Sequence, residues 1–194
     1  MPTRVLHPTV TGHHVYLRPP HSRDAMAFVA AAKASRALHG RWAHAPATRE
    51  RFDVFVKRFV PTAEHATHAG YLAFQRDDDT LIGVFNFSEI VRGAFQSTYL
   101  GYYAFASGAG RGYMTEGMAL ALDVAFRKQK LHRVEVNIQP TNLRSVALAE
   151  RVGFSREGYS PRYVKIAGRW RDHVRYAMLA ENWRSLRRMQ SGLR

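Results

Sequence analysis

The chain contains no cysteine. Disulfides, thiolate metal ligands and a cysteinyl acyl intermediate are therefore excluded. It has no apolar run long enough to span a bilayer, and residues 1–14 carry no apolar stretch of signal-peptide length. The expectation is a cytoplasmic protein with no membrane contact. Acidic residues are scarce. There are 15 Asp and Glu against 29 Lys and Arg, which gives a net charge of +14 and a pI near 10.7. Such a surface attracts polyanions. One anionic cofactor needs only a local patch, so ribosomal RNA enters as a prospective partner. No repeat, linker or low-complexity block interrupts the chain. A single domain over residues 1–194 is expected, with a loose N-terminus over 1–13 and a loose basic tail over 184–194.

What is present suits a folded core: 46% of residues are hydrophobic, and 11 Phe, 9 Tyr and 3 Trp are among them. Val15 to Arg18 reads as a strand stopped by Pro19 and Pro20. Asp24 to Ala34 places Ala25, Phe28, Val29 and Ala32 on one helical face. Thr48 is a suitable N-cap for a second helix carrying Phe52, Phe55, Val56, Phe59 and Val60, with Pro61 as its stop. The period then shortens. Tyr71 to Gln75 and Leu81 to Phe87 read as strands around an Asp77-Asp78-Asp79 turn, and Gln96 to Phe105 continues the meander. A helix from about Thr115 to Lys130, a strand from Arg133 to Gln139, and a short helix capped by Asn142 and ended by Gly153 follow. Two strands, Tyr163 to Ile166 and His173 to Leu179, meet through Ala167-Gly168-Arg169. The order implies a mixed α/β sheet of about seven strands with four helices.

Ser107-Gly108-Ala109-Gly110-Arg111-Gly112-Tyr113 joins a strand to a helix. Glycines let backbone N–H groups approach an anion, the helix N-terminus is partly positive, and Arg111 adds a full charge. The spacing fits neither a Walker loop, which needs Gly-Lys-Ser/Thr, nor a Rossmann turn, because Tyr113 stands where the third glycine belongs.

Gly110-Arg111-Gly112-Tyr113-Met114-Thr115-Glu116 resembles the pyrophosphate loop of the GNAT N-acetyltransferases. Asn142-x-x-Ser145, Gly153-Phe154 and Glu157-Gly158 resemble the second signature block of that family. Gly168-x-Trp170-x-Asp172 is similar to the C-terminal end of the subgroup that acetylates ribosomal-protein N-termini. Ile82 to Ser88, Val91-Arg92-Gly93 and Tyr99-Leu100-Gly101-Tyr102 look most like its RimJ type. The likeness runs from about Val15 to Trp183. It implies a GNAT fold splayed between its fourth and fifth strands, with acetyl-CoA as cosubstrate and no metal. Tyr102, Tyr103 and Ala104 would hold the pantetheine arm and thioester. Gly110, Arg111, Gly112, Tyr113, Met114 and Thr115 would hold the pyrophosphate, and Asn142 would bond the arm or an adjacent backbone group. Ala109 and Met114 depart from the family loop, and Met114 is bulky beside phosphates.

The resemblance implies direct attack of an amine on the thioester. The acceptor it suggests is the α-amine of an N-terminal alanine on a ribosomal protein with a basic terminus. Such an amine has a pKa of roughly 8 against roughly 10.4 for lysine, so its deprotonation is about 3 kcal/mol easier and a modest base suffices. Glu89, placed after the Leu81–Phe87 strand, is the first candidate base, and Glu116, in the first helical turn, is the second. Relatives place a tyrosine seven residues after the motif asparagine. Here that position is Ala149, so Ser145 is expected to support the leaving thiolate by hydrogen bonding. His65 and His68 could face one another on a helix, but no third ligand is spaced to join them. A small-molecule amine acetyltransferase and a non-catalytic RNA- or ribosome-binding factor are the alternatives. A monomer or weak dimer is expected.

Overall fold

In the computed structural model the described residues are 7–59 and 67–192. Val60, Pro61, His65, Arg194 and the first six residues lie outside them. The described residues form eight strands and six α-helices, and the strands make a mixed sheet. The chain divides into two compact units, Met1–Asn86 with Tyr102–Val124, and Phe87–Gly101 with Ala125–Arg194.

In the first unit β1 (Val10–Thr11) pairs antiparallel with β2 (Val15–Arg18). Strand β2 then pairs antiparallel with β3 (Ala69–Gln75), from Val15 opposite Gln75 to Arg18 opposite Leu72. Three helices follow β2: α1 (Ala25–Ala34), α2 (Arg36–His39) and α3 (Arg49–Lys57). The Thr48 hydroxyl accepts the Arg51 amide and caps α3 as its sequence implies. Phenylalanines tie these helices together. The ring centroid of Phe28 lies 4.6 Å from that of Phe52 and 5.2 Å from that of Phe105. All three rings are fully buried, and each such burial is worth roughly 1.5–3 kcal/mol. Arg18 and Asp24, both buried, form a two-pronged pair at 2.8 and 2.6 Å. The Arg18 guanidinium also lies 4.3 Å from the Phe74 ring centroid.

Strands β4 (Leu81–Val91) and β5 (Ser97–Ala104) carry the chain from one unit into the other. Helix α4 (Tyr113–Asp123) closes the first unit. It presses on the sheet through Gly117, where an added Cβ would lie 2.8 Å from Phe85.

In the second unit β6 (Arg133–Ile138) pairs antiparallel with β8 (Arg169–Leu179) along its whole length. Strand β7 (Ser155–Ile166) forms a hairpin with β8 through Ala167 and Gly168, both at positive φ. Helix α5 (Leu143–Val152) is capped by Asn142, whose side chain accepts the Ser145 amide, and stops at Gly153, φ 99°. The fourth and fifth expected strands are β5 and β6. Their parallel ladder has three partners only, from Ser97 opposite Arg133 to Tyr99 opposite Glu135.

Several elements differ from expectation. Strand β1 is too short to leave a periodic signal. Strand β7 begins at Ser155 rather than Tyr163, because it is exposed on most of its length and shows little alternation. The helix expected to Lys130 ends at Asp123 and widens into a π-turn over Val124–Lys128. The C-terminal stretch expected to be loose is helix α6 (Ala180–Gly192). Trp183 is buried there, and a Cβ added at Gly153 would meet Leu186 at 2.8 Å. Two apolar side chains one turn apart thus anchor a stretch whose basic residues dominate the sequence.

Candidate active site

The glycine loop follows β5 directly, and its start is held from three sides. The Phe105 amide donates to the Ile82 carbonyl at 2.8 Å, and the Ser107 hydroxyl donates to the Leu81 carbonyl at 2.6 Å. The Ala106 amide donates to the Ser35 hydroxyl at 2.8 Å, which itself donates to the Ala31 carbonyl. Gly108 packs so closely that an added Cβ would stand 2.6 Å from the Cβ of Ile82. This glycine is needed for approach, whereas Gly110 and Gly112 are needed for conformation, at φ 76° and 79°. A Cβ at either of these would meet no protein atom within 4 Å. The loop is therefore open on that side.

The helix start leaves donors free. The Thr115 and Glu116 amides both return to the Gly112 carbonyl, at 2.9 and 3.2 Å. The amides of Gly110 to Met114 donate to no acceptor among the described residues. Consecutive free N–H groups at a helix N-terminus, an open face and the exposed Arg111 fit an anionic group such as a pyrophosphate. The Thr115 amide, included in the expected set, is already engaged. Met114 lies against Gly83, where an added Cβ would stand 2.4 Å from its sulfur and 3.0 Å from the Tyr103 carbonyl. The departure in the loop is matched by a glycine on β4 that accommodates it.

Beside the end of β5 is a cavity of about 510 Å3 lined by Asn86, Tyr103, Arg36, His39, Arg51 and Arg58, among others, and by no Asp or Glu among the described residues. His39 is buried. Its Nε2 bonds the Ala104 carbonyl at 2.8 Å, so that nitrogen carries the proton, because a carbonyl can only accept. Its ring meets Tyr103 edge-on at 5.4 Å. The Tyr103 hydroxyl and Asn86 Oδ1 are buried with no partner among the described residues. Burial pushes the Tyr103 phenol far up, so it stays neutral and keeps its proton to donate.

The family description "Acetyltransferase (GNAT) domain" matches residues 14–155. The chain belongs to the GNAT acetyltransferases. It is 39% identical to the Bacillus subtilis protein named "Probable N-acetyltransferase YjcK", over 68% of this chain and 70% of that one. It is 43% identical to the Escherichia coli ribosomal protein uS5 alanine N-acetyltransferase, over 57% of each. The match thus spans little more than half the length of that second relative. Among solved structures, Mycobacterium smegmatis RimJ in complex with CoA-disulfide aligns with a TM-score of 0.78 at 29% identity, covering 86% of this chain and 82% of that one.

The other expected positions of this GNAT chain are placed as follows. Glu89 lies inside β4, which runs on to Val91, rather than after it. It is exposed and sits at φ 49°, a left-handed value that side chains seldom adopt. The buried Thr98 hydroxyl takes up the neighbouring Ser88 carbonyl at 2.8 Å. Such a strained, solvent-facing carboxylate is a reasonable functional candidate. Glu116 is bonded to the backbone. Its Oε1 accepts the His14 and Val15 amides at 2.9 and 3.3 Å and so fastens the β1–β2 turn to α4. Gly12 leaves it room, since an added Cβ there would stand 2.2 Å from that oxygen. Ser145 is half-buried in the first turn of α5, and Asn142 spends its side-chain oxygen on the Ser145 amide at 3.4 Å. Sequence reasoning missed Ser35, His39, Asn86 and the three cavity arginines. Asn86 stands in the Ile82 to Ser88 stretch but was given no role there, the others stand in no motif, and only the helix α1–α2 bend brings Ser35 and His39 to the end of β5.

Proposed function

We propose that this chain transfers the acetyl group of acetyl-CoA to the α-amine of an N-terminal alanine on a ribosomal protein, in the cytoplasm. The row of free amides from Gly110 to Met114, on a loop open at Gly110 and Gly112, carries the cofactor half of this reading. The 43% identity to a ribosomal protein uS5 alanine acetyltransferase supports the acceptor half. Acetyl-CoA supplies the activated thioester. The Gly110–Met114 amides and Arg111 would bind its pyrophosphate, and the Thr115 hydroxyl lies at their end. Backbone groups of Tyr102 to Ala104 would hold the arm, and Asn142 would add a side-chain amide donor. Fixed backbone donors there would favour the developing oxyanion.

Glu89 is assigned as the base, directly or through water, because an α-amine of pKa roughly 8 is partly neutral already. Ser145 is assigned to hydrogen-bond the departing thiolate. Glu116 is given no proton-transfer role, because its carboxylate is bonded to the backbone.

Calorimetric titration with acetyl-CoA tests the cofactor half. Saturable binding is expected, and Gly112→Trp should weaken it at least tenfold, because a side chain at φ 79° strains the loop and fills its open face. Absence of binding to the parent protein would sink the reading. Mass spectrometry of alanine-starting peptides incubated with enzyme and acetyl-CoA tests the acceptor half.

A further inference from the structure

The cavity beside Tyr103 has a chemical character that its function must respect. Asn86 and Tyr103 line its strand-borne side, and Asn86 Oδ1 and the Tyr103 hydroxyl are buried there without partners among the described residues. By type, the amide oxygen accepts an N–H and the phenol can donate or accept. Unpartnered polar atoms in a native interior cost free energy and call for a ligand or water. Its helix-borne walls are cationic. Arg36 comes from α2, Arg51 from α3 and Arg58 from the α3 C-cap. None of these three guanidinium groups pairs with a carboxylate among the described residues. Of the two acids on α3, Asp53 is held by Arg49 at 2.9 Å, and Glu50 lies in the first turn, bonded to Thr48 and to its own backbone.

We propose that this cavity takes an acceptor that presents a carboxylate near its reacting amine, namely an N-terminal peptide with Glu or Asp among its first few residues. The inference rests on the N-terminal acetyltransferase reading and narrows it. It also replaces the basic terminus expected from the sequence with an acidic one. A polyamine or any polycation would meet three like charges and no counter-charge among the described residues. A guanidinium fork binds a carboxylate with two parallel bonds, which fixes orientation as well as charge. A cavity of about 510 Å3 holds only a few extended residues at about 3.3 Å each, so the acidic residue belongs at positions two to four.

The test is steady-state kinetics on alanine-starting peptides that differ only in carrying Glu, Gln or Lys at position two, three or four. At one position the Glu peptide should exceed its Gln counterpart at least tenfold in kcat/KM, chiefly through KM, and the Lys peptide should be poorest. Arg51→Glu or Arg58→Glu should invert the order, with acetyl-CoA affinity by calorimetry unchanged. Arg36→Gln should lower the preference without inverting it. Equal turnover of the three peptides at every position would overturn the proposal and leave N-terminal acetylation standing. Turnover of free glutamate or aspartate with no peptide acetylated would overturn the peptide form. Acetyl-CoA binding with no amine acetylated would remove both readings.

Discussion

Two sets of arginines divide the molecule by what faces them. In the second unit Arg133 donates to Glu135 at 2.8 Å and to both carboxylate oxygens of Glu157. In the first unit Arg18 is matched within a buried pair by Asp24. In the same unit Arg36, Arg51 and Arg58 line a cavity that contains no acid among the described residues. A net charge of +14 therefore hides two uses of one residue type. Paired guanidiniums hold the fold, and unpaired ones around a concavity are available to a ligand. The distinction is invisible to composition and shows only in which carboxylates the chain brings to each arginine.

The largest effect should come from the most buried pair. Asp24→Asn leaves Arg18 buried opposite a neutral amide and also weakens the bond to the His21 amide. A loss of about 3–5 kcal/mol in denaturant unfolding is expected. Glu157→Gln should cost less, about 0.5–1 kcal/mol, because Arg133 keeps Glu135 and the site is partly exposed. The same pair has a pH signature. The Arg133 hydrogen bond holds the Glu157 carboxyl below its ordinary value of 4.5. The unfolded chain thus takes up the proton first as pH falls. The contribution is full above pH 4.5 and lost below it, and the Gln variant should lose less stability over that interval.

His173 sharpens the contrast, because it is buried without any carboxylate hydrogen-bonded to it among the described residues. Burial lowers its pKa from the ordinary 6.5. Above pH 6.5 it is neutral in both states and costs nothing. Below it the unfolded chain binds a proton that the folded one resists, so stability should fall with pH. His173→Gln should flatten that slope in unfolding titrations followed between pH 7 and 5. The smallest effect on stability is expected at the cavity. Arg51→Gln should change unfolding free energy by no more than about 0.5 kcal/mol and should alter acceptor kinetics instead. A stability loss as large as that of Asp24→Asn would place Arg51 among the structural arginines and erase the comparison.

Much of this was legible beforehand for definable reasons. The strand–glycine–helix succession and the asparagine and glycine caps of α5 are local devices. Their residues act on neighbours three or four positions away, so sequence spacing records them. Glu116 was legible only in part. Its place in the first turn of α4 was evident, but the amides it bonds lie about a hundred residues away, on the β1–β2 turn. Met114 read as an obstruction in the loop until Gly83, thirty-one positions earlier, proved to be where its sulfur lies. Glu89 read as a loop residue because its strand loses alternation at the positive-φ kink.

The sequence by itself determined the class of protein, the loop that presents its backbone to an anion, and the absence of thiol chemistry. Those depend on residue identity and short-range geometry. Tertiary structure alone decided which carboxylates became fastenings, which arginines stayed without a carboxylate partner among the described residues, and that Asn86 and Tyr103 share one cavity. Partnership between charges is set by long-range contact, where a few ångströms separate a saturated ion pair from a binding site.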